Sequence, residues 1–117
     1  MKTELRDIPA LKCEIQFLVG TDAQDNFNII DASEPTDMWF HLAGYSSCHV
    51  IAKMPLDIAL DKKQKLQIIK QGALICKQNS KQKSEQNVDV IYTALSNITK
   101  TKIIGQVETT NVKHIDI

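Results

Sequence analysis

Apolar residues recur at every second position on both sides of one long stretch in which they recur at every third or fourth. Ile15, Phe17 and Val19 alternate with more polar neighbours near the start, and Val88, Val90 and Tyr92 do so again after Asn87. Between these runs, Leu66, Ile69, Ala73 and Cys76 stand at offsets of 3, 4 and 3. A period of two fits a half-buried strand and a period of about 3.6 fits a helix, so the chain must combine sheet and helix.

The punctuation supplies an order. Ala10–Val19 reads as a strand ended by Gly20. Thr21 or Asp22 can then cap a short helix over Ala23–Ile30, because a short side-chain oxygen accepts from the free amides of a first turn. Asp31–Thr36, with Ser33 and Pro35, reads as a loop; Asp37–Leu42 as a strand; Ala43–Ser47 as a turn; His49–Ala52 as a second short strand. Pro55 interrupts the chain before a helix over Lys62–Gln78, capped at or near Asp61, with Lys63, Gln67, Lys70 and Lys77 largely on its solvated side. Asn79–Gln86 is a polar linker. Two or three antiparallel strands, through Val88–Tyr92, Lys102–Val107 and Asn111–Ile117, close the chain. The order β-α-β-β-α-β-β-β predicts an α+β fold with two helices on one mixed or antiparallel sheet.

Composition narrows the class. The 117 residues make one domain, 1–117, and a makeup of 43% hydrophobic and 24% charged residues is that of a globular chain. No apolar run approaches the roughly 18 residues of a membrane span. Lys2, Glu4, Arg6 and Asp7 argue against a secretory leader, and three cysteines without close pairing, Cys13, Cys48 and Cys76, fit a reducing compartment. The expected location is therefore the cytoplasm. Fourteen Lys+Arg balance fourteen Asp+Glu, so attraction to a polyanion must come from local clustering. Arg6 is the one arginine, which leaves cationic chemistry to lysine.

The densest chemistry lies in Asp37-Met38-Trp39-Phe40-His41, followed eight residues later by His49 and preceded there by Ser46, Ser47 and Cys48. In strand geometry Asp37, Trp39 and His41 share one face, with Met38 and Phe40 turned to the other. A packed tryptophan beside two satisfied histidines is one reading. A nucleophile–base pair of Cys48 with His41 or His49 has the residue types but no protease signature around it, and its neighbours on a strand diverge. Cys48, His41, His49 and His114 lack the paired spacing of a zinc site. Gly20-Thr21-Asp22, at a strand-to-helix junction, offers amides to an anion but no Walker lysine and no GxGxxG.

Gly20-Thr21-Asp22-Ala23-Gln24-Asp25-Asn26, then Asp37–His41, then Ser47-Cys48-His49-Val50-Ile51, resemble the NFACT-R domain family. Its pattern runs G-R-N/D-A-x-x-N, D-L-W-F/L-H and P-G-S-H-V-I, with the same eight-residue step between histidines. Ala73 and Ser80-Lys81 stand where the family has a helix ending in a Ser-Lys/Arg step, Asp89–Thr93 resembles its V-x-V-x-Y-T strand, and Ile104-Gly105-Gln106-Val107 its P-G-x-V turn. The likeness covers Phe17 to Ile117. Two departures stand out: Thr21 replaces the family arginine, and Ser46-Ser47-Cys48 replaces Pro-Gly-Ser, removing a glycine free to take positive φ.

The resemblance implies a non-catalytic RNA-binding module of ribosome-associated quality control, here as a stand-alone version. Its RNA would be tRNA or ribosomal RNA. The large ribosomal subunit is an implied partner and DNA an alternative one, since a single-domain relative is implicated in sensing DNA. It implies no membrane, cofactor or metal. Asp22, Asn26, Asp37, His41 and His49 would organise hydrogen bonds beside Ser47, Cys48 and Ser80; Trp39 would stack or pack; Lys81 and Lys83 would meet phosphates. A protein-interaction module on the same fold is the competing reading.

Overall fold

A computed structural model describes all residues 1–117. The chain runs β1 (Lys2–Ile8), β2 (Cys13–Val19), α1 (Ala23–Asp31), β3 (Met38–Leu42), β4 (Val50–Ala52), α2 (Lys62–Gln78), β5 (Asp89–Ala94), a 3-10 turn (Leu95–Asn97), β6 (Ile98–Lys100), β7 (Val107–Thr109) and β8 (Lys113–Asp116). It is the expected α+β class, with three corrections. All strand pairings are antiparallel, one of the two expected arrangements, yet they make not one sheet but a six-stranded sheet of order β1-β2-β4-β3-β5-β8 and a separate β6-β7 hairpin.

The second correction is β1, which the apolar period does not announce. Its half-buried side carries Glu4 and Arg6 before Ile8, which is fully buried. Arg6 pairs with Glu4 at 2.8 Å and donates to Gln71 and Gln78 of α2 at 3.4 and 3.1 Å. Charged side chains on an edge strand blunt further strand addition, and here they also use up the single arginine. The third correction falls at the C-terminal end. Residues 102–106, most of the strand expected over Lys102–Val107, lie in the β6–β7 turn, where the Thr101 hydroxyl stands within donating reach of the Ile103 and Gln106 carbonyls, at 3.3 and 3.0 Å, and accepts from the Ile103 amide.

The two helices cover opposite faces. Phe17 and Val19, Phe40 and Leu42, and Val50 and Ala52 point to α2, where they meet Ile68, Ile69, Ala73, Ile75 and Cys76. Leu66, expected on that core face, is 43% exposed; the buried stripe of α2 instead runs through Ile68, Ile69, Gly72, Ala73, Ile75 and Cys76. Gly72 is the contact point, since a Cβ there would stand 2.3 Å from the Phe40 ring. A capping box starts α2: Asp61 accepts from the Gln64 amide and Gln64 accepts from that of Asp61. Their strand neighbours Leu18, Trp39 and Ile51 point the other way and pack with Ile29 of α1 and Leu95. The β6–β7 hairpin closes over this second face through Ile98 and Val107, with the Lys100 ammonium 2.6 Å from Asp31 and above the Phe27 ring of α1.

Candidate nucleic-acid interface

A cleft of about 930 Å³ opens on the α1 face, bounded by the α1 N-terminus, the ends of β3 and β4, and the β6–β7 turn. Its floor follows from strand register. Met38, Trp39 and Phe40 pair with Ala52, Ile51 and Val50, and one further step sets His49 opposite His41. The eight-residue spacing of the histidines is the spacing this hairpin requires. The two imidazoles lie 5.3 Å apart, nearly perpendicular. Trp39, two residues from His41 on the same face, stacks against it at 5.7 Å and meets His49 edge-on at 5.3 Å.

The backbone of His49 is clamped on both sides. Its N–H donates to Oδ1 of Asn26 at 3.1 Å, and its carbonyl accepts from the Gly20 N–H at 3.0 Å. Asn26 reaches across because residue 20 has no side chain: a Cβ on Gly20 would fall 2.0 Å from that same Oδ1. The glycine and asparagine of the first motif thus position the second histidine. Gly20→Ala is expected to cost about 2 kcal/mol, the scale of forced overpacking, and to shift the His49 imidazole resonances. Urea unfolding and NMR check it, and an unchanged histidine spectrum would refute the clamp.

Both imidazoles are held neutral. Burial, then the neighbouring His41, brings His49 down to about 4. Burial also lowers His41, partly opposed by its hydrogen bond to Leu42. The Leu42 carbonyl lies 2.6 Å from Nδ1 of His41. A carbonyl only accepts, so Nδ1 carries the proton and Nε2 is left as an acceptor. Nδ1 of His49 and Nε1 of Trp39 are buried without a protein partner. Unsatisfied buried nitrogens are costly and uncommon.

The remaining expected site residues divide. Asp22 borders the cleft but acts as the N-cap of α1, accepting from the Asp25 amide at 2.8 Å. Asp25 in turn pairs with the Met1 ammonium and accepts from the Thr21 amide, which bring its carboxyl down to about 2. Two carboxylates already occupy the amides of Thr21 and Asp25, so the junction does not present them to an anion as the sequence suggested. Ser47 and Cys48 border the cleft. The Ser47 hydroxyl accepts from the Leu42 amide and donates to the Cys48 carbonyl, and Cys48 packs against the core cluster that holds Cys76.

Asp37 does not join Trp39 and His41. It precedes β3, is 2% exposed, accepts from the Glu34 and Met54 amides at 2.9 Å each, and pairs with Lys53 at 2.7 Å. These bonds staple the α1–β3 loop to the segment after β4. Ser80 caps the end of α2 through the Lys77 carbonyl, and Lys81 and Lys83 are exposed beyond the cleft lining. Trp39, at 1% exposure with His41 against its face, packs and offers no open ring for a base. The cleft also contains residues the sequence reading did not assign: Lys2, Asn79, and Ile104, Gly105, Gln106, Val107 and Thr109 of the hairpin. The signal for the hairpin was Gly105, whose φ of 81° suits glycine and whose missing Cβ would press to 2.8 Å from Ala23 of α1.

The family model described as NFACT protein RNA binding domain matches residues 12–111. The chain is 34% identical over 108 residues to coiled-coil domain-containing protein 25 of Danio rerio, covering 85% of this chain and 49% of that protein. It is 33% identical over 84 residues to the protein of the same name from Mus musculus, covering 71% and 40%. The chain thus spans about half, or less, of the length of these curated relatives. A solved structure, the C-terminal of the fibronectin/fibrinogen-binding protein from Streptococcus suis, superposes with a TM-score of 0.79 at 19% identity, over 100% of this chain and 45% of that one. That likeness is one of fold.

Proposed function

Since the chain belongs to the family of NFACT protein RNA-binding domains, we propose that it binds structured RNA, tRNA or ribosomal RNA, in the cytosol, and catalyses no reaction. The carrying observation is the neutral histidine pair at the floor of the cleft. Uncharged imidazoles do not attract phosphate; an acceptor at Nε2 of His41, with the Gln106 amide on the wall, suits the hydrogen-bonding edges of unpaired bases. Phosphates fall to lysines outside: Lys81 and Lys83 on the loop after α2, with Lys2 at the rim, where it already donates to Asn79 at 3.0 Å. The setting proposed for this binding is the large ribosomal subunit during quality control of stalled translation, a reading supported by the likeness of its motifs to the NFACT-R pattern.

The division of labour has a salt signature. Each lysine–phosphate contact contributes about 0.7 to 0.9 to the slope of log affinity against log salt. Lys81→Glu with Lys83→Glu is expected to weaken tRNA binding and flatten that slope. His41→Ala is expected to weaken binding by about tenfold, one lost base contact of roughly 1–3 kcal/mol, with the slope kept. Fluorescence anisotropy over about 50 to 200 mM salt, the range in which such contacts are revealed, separates the two. Absence of RNA binding throughout defeats the proposal, and a protein partner captured after nuclease treatment would favour the interaction-module reading. Co-sedimentation with the large subunit, lost in the lysine double variant, tests the ribosomal context.

A further inference from the structure

We infer that Cys48 and Cys76 form a reversible intramolecular disulfide that fastens the Ser46–Cys48 wall of the cleft to α2. The inference does not rest on RNA binding. Cys76 is fully buried on α2, with its Sγ 3.7 Å from the carbonyl oxygen of Cys48 and 3.9 Å from Oγ of Ser47. Cys48 itself packs against the core cluster that holds Cys76. Cys48 is half-buried and borders the open cleft, so a small oxidant reaches it first. Cys13, exposed at the start of β2, is the third thiol and serves as the internal control.

The two sulfurs are unequal in access, Cys48 bordering the cleft and Cys76 enclosed in the core. Contact with Cys76 brings the Cys48 thiol below its ordinary range, whereas that contact and burial push Cys76 far up. With oxidised glutathione as oxidant, the Cys48 thiolate attacks one glutathione sulfur and expels the other as a thiolate, which takes up a proton. Cys76 then gives up its proton and attacks the Cys48 sulfur, expelling the second glutathione thiolate. The protein's two thiols lose two electrons and two protons, and the glutathione disulfide becomes two thiols. Because Cys76 is held protonated, the second step is the slow one.

The bond draws the side chains to an S–S separation of about 2 Å and displaces the Cys76–Cys48 carbonyl contact. The wall that carries His49 onward into β4 is then tied covalently to the opposite layer. Restricting the unfolded chain across this loop is expected to raise the melting temperature by about 5 °C or more.

The chain is equilibrated in glutathione buffers from reduced to oxidised, quenched in acid, alkylated and mapped by mass spectrometry. A Cys48–Cys76 peptide is expected in the wild type and in Cys13→Ala, and none in Cys48→Ala or Cys76→Ala. Cys76→Val, which keeps the core filled, replaces the latter if the alanine variant unfolds. The melting temperature should rise on oxidation and fall back with a dithiol reductant. A glutathione adduct retained on Cys48 with Cys76 free, or dimers linked through Cys13 as the sole oxidised product, would overturn the inference.

Discussion

Trp39→Ala is expected to destabilise the domain by about 3–5 kcal/mol, the range for truncating a buried large aromatic. The indole is 1% exposed and is the largest side chain of the cluster that joins α1 to the sheet, against Leu18, Ile29, Ile51 and Leu95. Its loss leaves a cavity between sheet and helix that the antiparallel register of β3 and β4 cannot close by sliding, since a slip by one residue would turn every side chain to the wrong face. The same substitution removes the surface on which His41 is stacked, so RNA affinity should fall even where the variant remains folded. Trp39→Phe is the informative companion. It keeps most of the apolar bulk and removes Nε1, which has no protein partner, so its cost in urea unfolding should be well under half that of alanine. Equal costs for the two variants would mean that Nε1 meets a partner and that packing is not what Trp39 provides.

The sequence disclosed the parts of this fold that one element can disclose alone. The alternation at Phe17 and Val19, the stretch from Asp61 to Gln78, and the Gly20–Asp22 junction each carry their own period or cap, and β2, α2 and α1 stand there. The histidine pair was legible for a related reason, because eight residues is a hairpin distance and both ends of the hairpin belong to one motif. β1 was illegible because its inward side is charged and is satisfied by partners on α2, about sixty-five or more positions away. Leu66 misled because offsets of three and four define a stripe but not which of two adjacent stripes meets the sheet; Gly72 against Phe40 decides that.

Site residues followed the same division. Asn26 and Gly20 were visible as motif letters, yet their work, clamping the backbone of His49 rather than touching a ligand, depends on a contact across twenty-three positions. Asp37 looked like a third member of the Trp39–His41 face from strand parity alone. Parity fails one residue before a strand starts, where the Glu34 and Met54 amides and Lys53 capture the carboxylate instead. Lys2 and Asn79 come to one wall of the cleft because Lys2 on the edge strand reaches the end of α2. No local pattern encodes that meeting.

Acid should strip stability from this domain in a window set by histidine rather than by carboxylates. His49 titrates at about 4 in the folded protein against an ordinary value of 6.5, so protons bind the unfolded chain first. Its contribution is therefore whole above pH 6.5, drains as pH falls from 6.5 to 4, and is gone below that. A shift of this size corresponds to about 3 kcal/mol. His41 is lowered in the same direction and adds to the loss in that range. Asp25 has the same sign but a lower window: its carboxyl, brought from 3.8 to about 2, contributes above 3.8 and loses that contribution only as pH falls from there toward 2. The two windows hardly overlap. Urea unfolding at pH 7, 5.5 and 4.5 should show the decline, and His49→Gln, which cannot charge, should flatten most of it at some cost in stability at pH 7. Parallel pH profiles for the variant and the wild type would show that the burial of His49 is not what makes the domain acid-sensitive.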